Sequence, residues 1–163
     1  MPSIAIRPFT PDDFAHLDAI RTEAFAPIFA SFRALLGDRI AQVALADVEQ
    51  EQQALLTSLC AEQGDTQVFV SARDGRVTGF VCVKLNRAQG VGEIVLDAVH
   101  PNEAGRGIGT ALIDHALGFM RAQGMCVAVV GVGGDDSHAP ARRAYAKAGF
   151  SAGIPSIHLY RLL

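Results

Sequence analysis

Three glycines alternate with other residues immediately before a predicted helix, in the segment 105–110, Gly-Arg-Gly-Ile-Gly-Thr. A β-rich run over 92–99 precedes this segment, and the helix predicted over 107–123 carries its apolar residues on one face. Glycines let a backbone approach a diphosphate closely, and the first amides of a helix lack partners and bind anions. This order predicts a phosphate-binding α/β domain, whereas an ordinary glycine-rich surface connection would not need the alternation.

Two common nucleotide-binding turns do not fit this segment. A Walker turn needs Gly-Lys-Ser/Thr, and no lysine follows these glycines. A Rossmann turn needs a third glycine where Thr110 stands, and it normally follows the first strand, whereas this turn follows the fourth predicted strand.

Composition narrows the class of protein. The 163 residues are 50% hydrophobic and 19% charged, which predicts one globular domain over 1–163. No apolar run reaches the roughly 18 residues of a membrane span, and the first ten residues lack a signal-peptide pattern, so we expect a cytoplasmic protein that binds no membrane. The net charge of −3 argues against nucleic-acid binding. The cysteines Cys60, Cys82 and Cys126 are far apart and predict no metal site; we expect Cys82 and Cys126 to be buried.

Periodicity predicts the order β-α-α-β-β-β-α-β-α-β and an α/β fold with a mixed sheet. The strands are expected over 3–7, 66–72, 77–85, 92–99, 126–130 and 157–162, and Asp74-Gly75 marks a hairpin between the second and third. The first helix should be interrupted at Pro27, and a second helical region over 33–62 should break near Gly37.

Two segments then resemble the motifs of the GNAT N-acetyltransferase superfamily. The stretch 99–109, VHPNEAGRGIG, is similar to its coenzyme A signature, and 141–150, ARRAYAKAGF, is similar to its Ala-x-x-x-Tyr-x-x-x-Gly-Phe motif. The chain departs from the family pattern at Ala104, where Arg or Gln is usual, and at His138, where Asn is common. The resemblance implies a mixed, mostly antiparallel sheet flanked by helices, in which a splayed strand pair, bulged near 97–99, holds the cofactor.

The resemblance further implies an acetyl-CoA-dependent N-acetyltransferase that needs no metal. Its cofactor would contact the backbone and side chains of three segments: the end of the strand predicted over 92–99, the glycine turn over 105–110 and the tyrosine motif over 141–150. These residues are Asp97, Ala98, Val99, Gly105, Arg106, Gly107, Ile108, Gly109, Thr110 and Tyr145.

Acetyl transfer to an amine needs a base, because a lysine-like amine is protonated at neutral pH, and the departing thiolate benefits from a proton donor. Glu93 matches the family's catalytic glutamate, although it could simply open the strand at its solvated end. Tyr145 matches the family's acid, although it could be a core tyrosine. Glu93 precedes Asp97 by four residues, so regular strand alternation should place both side chains on the same face.

The resemblance implies that the acceptor contacts the first two helices and the loops around the cleft, and the candidates are Phe29, Phe32, Asp97 and His138. The aromatic residues could equally form a packed helix corner, and His138 could cap a helix or pair with Asp135 or Asp136. We expect transfer to a small-molecule amine by direct attack in a ternary complex. An acyl-CoA sensor without turnover and a protein or peptide N-acetyltransferase are the alternatives, and a homodimer is compatible with the family.

Overall fold

A computed structural model describes residues 3–163. Its helices and strands follow the predicted order up to the last element, except that three helices instead of two lie between the first and second strands. They are β1 (Ala5–Pro8), α1 (Phe14–Leu36), α2 (Asp38–Ala44), α3 (Val48–Ala61), β2 (Thr66–Arg73), β3 (Arg76–Asn86), β4 (Val91–Val99), α4 (Ile108–Ala122), β5 (Val127–Val130) and α5 (Ala139–Lys147).

The five strands form one sheet in the order β1-β2-β3-β4-β5. The first three pairings are antiparallel and β4 pairs with β5 in parallel. The mixed, mostly antiparallel sheet is therefore confirmed. Helices α1 and α3 cover one face through a cluster that includes Leu17 and Leu56, and α4 covers the other through a cluster that includes Leu112 and Ile113.

The predicted hairpin joins β2 to β3. Asp74 and Gly75 both have a positive φ, of 50° and 76°, and Arg73 pairs with Arg76 across the turn. A two-residue turn with both central residues left-handed matches the twist of the strands, which explains why Asp-Gly stands here.

Helix α1 continues through Pro27, so the predicted interruption is wrong. Proline removes one helical hydrogen bond and costs about 3 kcal/mol in a helix interior. Packing on both sides of Pro27 outweighs this cost, because Leu17 and Ile20 are buried before it and Phe29 after it. The predicted break at Gly37 is confirmed, since α1 ends there and α2 begins.

The strand predicted over 157–162 is absent, so this prediction is wrong. Residues 149–163 belong to no helix or strand, and residues 151–163 are exposed. Gly149 and Phe150 donate backbone hydrogen bonds to Ala146 and Tyr145 of α5 and not to a strand. The prediction for the cysteines holds for Cys82, which is buried, and fails for Cys126, which is exposed just before the edge strand β5.

Over residues 3–163, none of the helices is both long and apolar enough to cross a membrane. The same residues bring together no group of three or more His, Cys, Asp and Glu side chains that could hold a metal ion.

Candidate active site

Strands β4 and β5 pair for only four residues and then separate. Their last register pair is Ile94 with Val130, and beyond it β4 continues to Val99 while β5 ends. The pairing with β3 shifts register at the same place, because Cys82 faces Leu96 and Val83 faces Ile94, which leaves Val95 as an extra residue. The splayed pair is thus present, with its bulge at Val95 rather than at 97–99.

The bulge reverses which face each later side chain occupies. Ile94 packs in the cluster under α4, whereas Leu96 and Ala98 pack in the cluster under α1 and α3. Strict alternation would have kept Ile94, Leu96 and Ala98 on one face. The expectation that Glu93 and Asp97 share a face is therefore wrong, because the extra residue lies between them.

A cleft of about 190 Å³ opens where the two strands part. One wall is the bulged half of β4, the opposite wall is the end of β5, and α1 and α5 contribute the remaining sides. Its lining includes Ala24, Phe25, Ile28, Ile94, Val95, Leu96, Asp97, Ala98, Val130, Gly131, Val132, His138, Ala141 and Tyr145.

The glycine turn lies at the end of β4 and presents the open N-terminus of α4. Gly105 and Gly107 have a φ of 75° and 79°, a conformation that residues with a Cβ rarely adopt. The Ala111 amide donates to the Gly107 carbonyl, and no side chain caps the helix start. Helix geometry leaves the amides of residues 108–110 without intrahelical acceptors. A Cβ on Gly109 would lie 3.7 Å from the Val99 side chain, so the turn packs against the last residue of β4, next to Ala98 in the lining of the cleft.

Tyr145 and Asp97 form a hydrogen-bonded pair in the cleft. The Tyr145 hydroxyl donates to Asp97 Oδ1 at 2.6 Å, which joins α5 to β4. Burial raises the pKa of Asp97, and the bond from Tyr145 opposes this rise. Burial, reinforced by the charge of Asp97 and by the bond to it, raises the pKa of Tyr145, so the phenol stays protonated.

His138 and Asp135 form a second pair on the loop between β5 and α5. Asp135 Oδ1 lies 2.6 Å from His138 Nδ1, and these side chains are only 13% and 15% exposed. Ser137 and Ser31 donate to Asp135 Oδ2, Ser31 at 3.0 Å from α1. Burial alone would raise the pKa of Asp135, but the bonds from Ser137, His138 and Ser31 hold that pKa well below its ordinary range. His138 also lines the cleft.

Two further contacts fix this loop. Arg142 Nη1 donates to the carbonyls of Gly133 at 2.6 Å and Asp135 at 2.7 Å. A Cβ on Gly133 would collide with the His138 ring and would come within 2.8 Å of Asp135 Oδ1. The close packing of the pair therefore requires a glycine at 133.

Phe32 stacks on the His138 ring, with centroids 5.7 Å apart and planes inclined by 25°. Phe29 contacts Phe32 edge-on but is buried in α1 outside the lining of the cleft. Neither Ser31 nor Gly133 is among the predicted site residues. Ser31 is 104 residues from Asp135 along the chain, so no local pattern could have connected them.

Glu93 is exposed on β4 and lies outside the lining of the cleft. It stands opposite Lys84 in the register of β3 and β4. The structure thus brings Asp97, Tyr145 and His138 together and leaves Glu93 apart from them. The role of Glu93 as a base stays a prediction.

Comparisons with known proteins agree with this geometry. The family model described as Acetyltransferase (GNAT) family matches residues 32–150. The mycothiol acetyltransferases of Streptomyces avermitilis and Streptomyces coelicolor are 34% identical over 83 residues and 32% over 82, which is 51% and 50% of this chain. The chain spans only 26% of the length of each of these relatives.

Solved structures share the fold over nearly all of the chain. A GNAT family acetyltransferase from Brucella melitensis in complex with acetyl-CoA is 25% identical, with a TM-score of 0.65 over 93% of this chain and 85% of that chain. The PaiA N-acetyltransferase of Thermoplasma acidophilum in complex with coenzyme A is 17% identical, with a TM-score of 0.72 over 94% and 93%. The chain belongs to the acetyltransferase (GNAT) family.

Proposed function

We propose that this chain transfers an acetyl group from acetyl-CoA to a primary amine of a small molecule, by direct attack in a ternary complex. One observation carries the proposal. The open N-terminus of α4 follows the end of β4, and the bulged half of β4 lines a cleft together with Tyr145, which is hydrogen-bonded to Asp97, and His138, which is paired with Asp135. An anion site beside an acid and a base is the set of groups that acetyl transfer needs.

The residues at the turn fit a diphosphate. The left-handed glycines Gly105 and Gly107 are exposed, and the amides of residues 108–110, which no side chain caps, supply donors. Arg106 adds a cation beside them, partly neutralised by Glu103 at 3.3 Å. The bulged edge of β4 over 95–99 faces the cleft instead of a neighbouring strand, so its backbone groups are available to an extended amide-containing arm. The 25% identical Brucella structure with acetyl-CoA supports the same ligand.

When bound, acetyl-CoA supplies the acetyl thioester and a thiolate leaving group. The turn over 105–110 would hold its diphosphate. The backbone of Asp97, Ala98 and Val99 would lie along its arm, and Tyr145 would lie near its thioester end.

His138 is the base that the structure favours. Its Nδ1 is engaged by Asp135, which leaves Nε2 to accept a proton from the amine, directly or through water. The Asp135 carboxylate stays ionised, fixes the orientation of the ring and stabilises the imidazolium that forms. Stacking on Phe32 restricts the ring further.

Tyr145 is the proton donor in this proposal. Its phenol remains protonated because its pKa is raised, and it lies in the cleft at the end of a short bond to Asp97. Asp97 orients the phenol.

The acceptor side of the cleft combines apolar surface with anionic groups. Ala24, Phe25 and Ile28 of α1 supply the apolar surface, and Asp97 supplies a carboxylate that attracts an ammonium group. A primary amine on a compact, partly apolar scaffold suits this lining.

The test is calorimetric titration with acetyl-CoA, followed by a thiol-release assay against a panel of small-molecule amines and a peptide panel. Binding and turnover with a small amine are the expected results. If acetyl-CoA does not bind, the proposed ligand is wrong. If acetyl-CoA binds and only peptides are acetylated, the proposal of a small-molecule acceptor is wrong. If acetyl-CoA binds and no acceptor is acetylated, the chain is an acyl-CoA sensor and not an enzyme for these acceptors.

Glu93→Gln and His138→Gln, assayed in parallel, identify the base. We expect His138→Gln to abolish the pH dependence of kcat/KM that a catalytic base produces. We expect Glu93→Gln to leave that pH dependence unchanged. The reverse result would restore Glu93 as the base.

A further inference from the structure

The imidazole of His100 lies between the end of β4 and the glycine turn and makes two contacts. Its Nδ1 accepts a hydrogen bond from the Asn102 amide at 3.1 Å. Its Nε2 lies 3.5 Å from Glu23 Oε2 on α1, and these side chains are 28% and 56% exposed. The backbone here is anchored to β3, because the amide of the histidine donates to the Thr78 carbonyl at 2.9 Å. The ring therefore joins the segment that leads into the glycine turn to the helix that lines one side of the cleft.

The bond to Asn102 satisfies a donor that the backbone leaves free. Residues Pro101–Glu103 form one turn of 3₁₀ helix, and the first amides of such a turn have no partner within it. The first residue is a proline, which has no amide hydrogen, so the Asn102 amide is the first of these donors. The His100 carbonyl accepts from the Glu103 amide at 2.8 Å, which closes the turn two residues before Gly105. The ring thus fixes the start of the short segment that places the glycine turn.

The same bond determines the protonation state of the ring. A backbone amide can only donate, so Nδ1 carries no hydrogen and the neutral ring has its hydrogen on Nε2, towards Glu23. Protonation adds a hydrogen to Nδ1 and sets two donors against each other at 3.1 Å. The contact with Glu23 survives protonation of His100, whereas the bond from Asn102 does not.

The charged groups around this segment leave the ring to Glu23. Ion pairs within residues 3–163 join His100 to Glu23 alone. The carboxylate of Glu103 contacts Arg73 of β2 at 3.2 Å and Arg106 of the glycine turn at 3.3 Å. A change of charge on the ring therefore acts on α1 through Glu23 and on the turn through the backbone amide that the ring accepts.

We propose that His100 is a positioning residue for acetyl-CoA, which holds the glycine turn in its binding conformation only while its ring is neutral. In the proposed function, on which this inference rests, the turn over 105–110 holds the diphosphate. Histidine is the side chain that ordinarily changes charge between about pH 5 and 8, so the affinity for acetyl-CoA falls in mildly acidic solution. The charged ring keeps its contact with Glu23 and releases only the turn.

Calorimetric titration of the full chain with acetyl-CoA at about pH 8 and about pH 5.5 tests the proposal, with His100→Asn as the matched variant. An asparagine oxygen accepts an amide two residues further on and does not titrate, so this variant keeps the cap at both pH values. Acetyl-CoA itself carries a phosphomonoester that titrates near about pH 6, and the variant measures that contribution because it binds the same ligand. The wild-type Kd is expected to rise with acid by about threefold to tenfold more than the variant's, which is the effect of one hydrogen bond. An equal rise in both proteins would overturn the proposal.

His100→Ala removes the acceptor at every pH. Its Kd near neutral and higher pH is expected to exceed that of the wild type by the same factor of about threefold to tenfold, and to vary with pH no more than that of His100→Asn. Recovery of wild-type affinity by His100→Asn, but not by His100→Ala, would show that the cap on the Asn102 amide is what holds the turn. Wild-type affinity in His100→Ala would show that the ring does not hold it.

The amide signal of Asn102 provides a readout that needs no ligand. In isotope-labelled wild-type protein its proton chemical shift is expected to follow the titration of the ring, and in His100→Asn it should stay constant. A wild-type signal that does not move with pH would overturn the inference, whether or not acetyl-CoA binds. A signal that moves in a chain that binds no acetyl-CoA would support the hold of the neutral ring on the turn and refute the proposed function instead.

Discussion

The hydroxyl of Tyr145 in α5 donates a 2.6 Å hydrogen bond to Asp97 in β4, at the point where β4 has left its neighbour β5. This bond spans 48 residues of sequence and places a protonated phenol and a carboxyl group of raised pKa in one cleft. The bond orients both groups, which lowers the cost of reaching a reactive arrangement.

Tyr145→Phe removes the proton donor but keeps the ring that packs against Phe150. We expect kcat to fall by about 10²-fold or more, in the range of general acid catalysis, with little change in the affinity for acetyl-CoA measured by calorimetry. Because the Tyr145 bond lowers the pKa of Asp97, loss of the bond should raise that pKa further, which a carboxyl NMR titration would detect. An unchanged kcat would remove Tyr145 as the acid.

Asp135→Asn tests the pairing of Asp135 with His138. The amide cannot stabilise an imidazolium as a carboxylate does, so we expect kcat to fall by about 10²-fold with acetyl-CoA binding retained. Asp136→Asn is the matched control, since Asp136 makes no side-chain hydrogen bond with the described residues. Equal activity of the two variants would show that the pair does not serve catalysis.

Gly107→Ala tests the glycine turn. A Cβ at a φ of 79° is disfavoured by about 1–2 kcal/mol, so the turn should relax and the affinity for acetyl-CoA should fall by about tenfold. Gly118→Ala is the control, because Gly118 lies within α4 with open space around its Cβ position and should gain stability. If calorimetry finds the same affinity in both variants, the turn does not hold the diphosphate.

Gly133→Ala tests the steric requirement beside His138. The added methyl group would displace the imidazole or Asp135, so we expect kcat to fall while the melting temperature changes little. Gly134→Ala, where a Cβ would meet nothing within 4 Å, should keep wild-type kcat. Comparable activity of the two variants would show that the loop tolerates a displaced His138.

Asp97→Asn is expected to change stability and activity in opposite directions. The folded-state pKa of Asp97 is raised by burial, so its contribution to stability is present below its unfolded pKa of about 3.9 and is lost as pH rises through the folded pKa. Asparagine can still accept the bond from Tyr145 without carrying a charge. We therefore expect denaturant titrations to show the variant gaining stability relative to the wild type as pH rises above about 4, while kcat falls. A stability difference that does not vary with pH would contradict this account.

The sequence by itself determined the elements whose signals are local. The glycine turn, the Asp74-Gly75 hairpin and the order of the elements through α5 depend on backbone preferences and on the spacing of apolar residues over a few positions. The two motifs that resemble those of the family, over 99–109 and 141–150, could also be found from the sequence, because each is a contiguous run. Pro27 shows the limit of local signals: it predicts an interruption of the helix, but packing on either side of it keeps α1 continuous.

Only the tertiary structure decided which side chains meet. One extra residue at Val95 moved Asp97 to the face of Tyr145 and left Glu93 on the other face, and a bulge of this kind has no mark in the sequence. Ser31 reaches Asp135 across 104 residues for the same reason. The segment 151–163 has a strand's composition and yet forms no strand, because a strand exists only with a partner, and the partner's position is a property of the assembled fold.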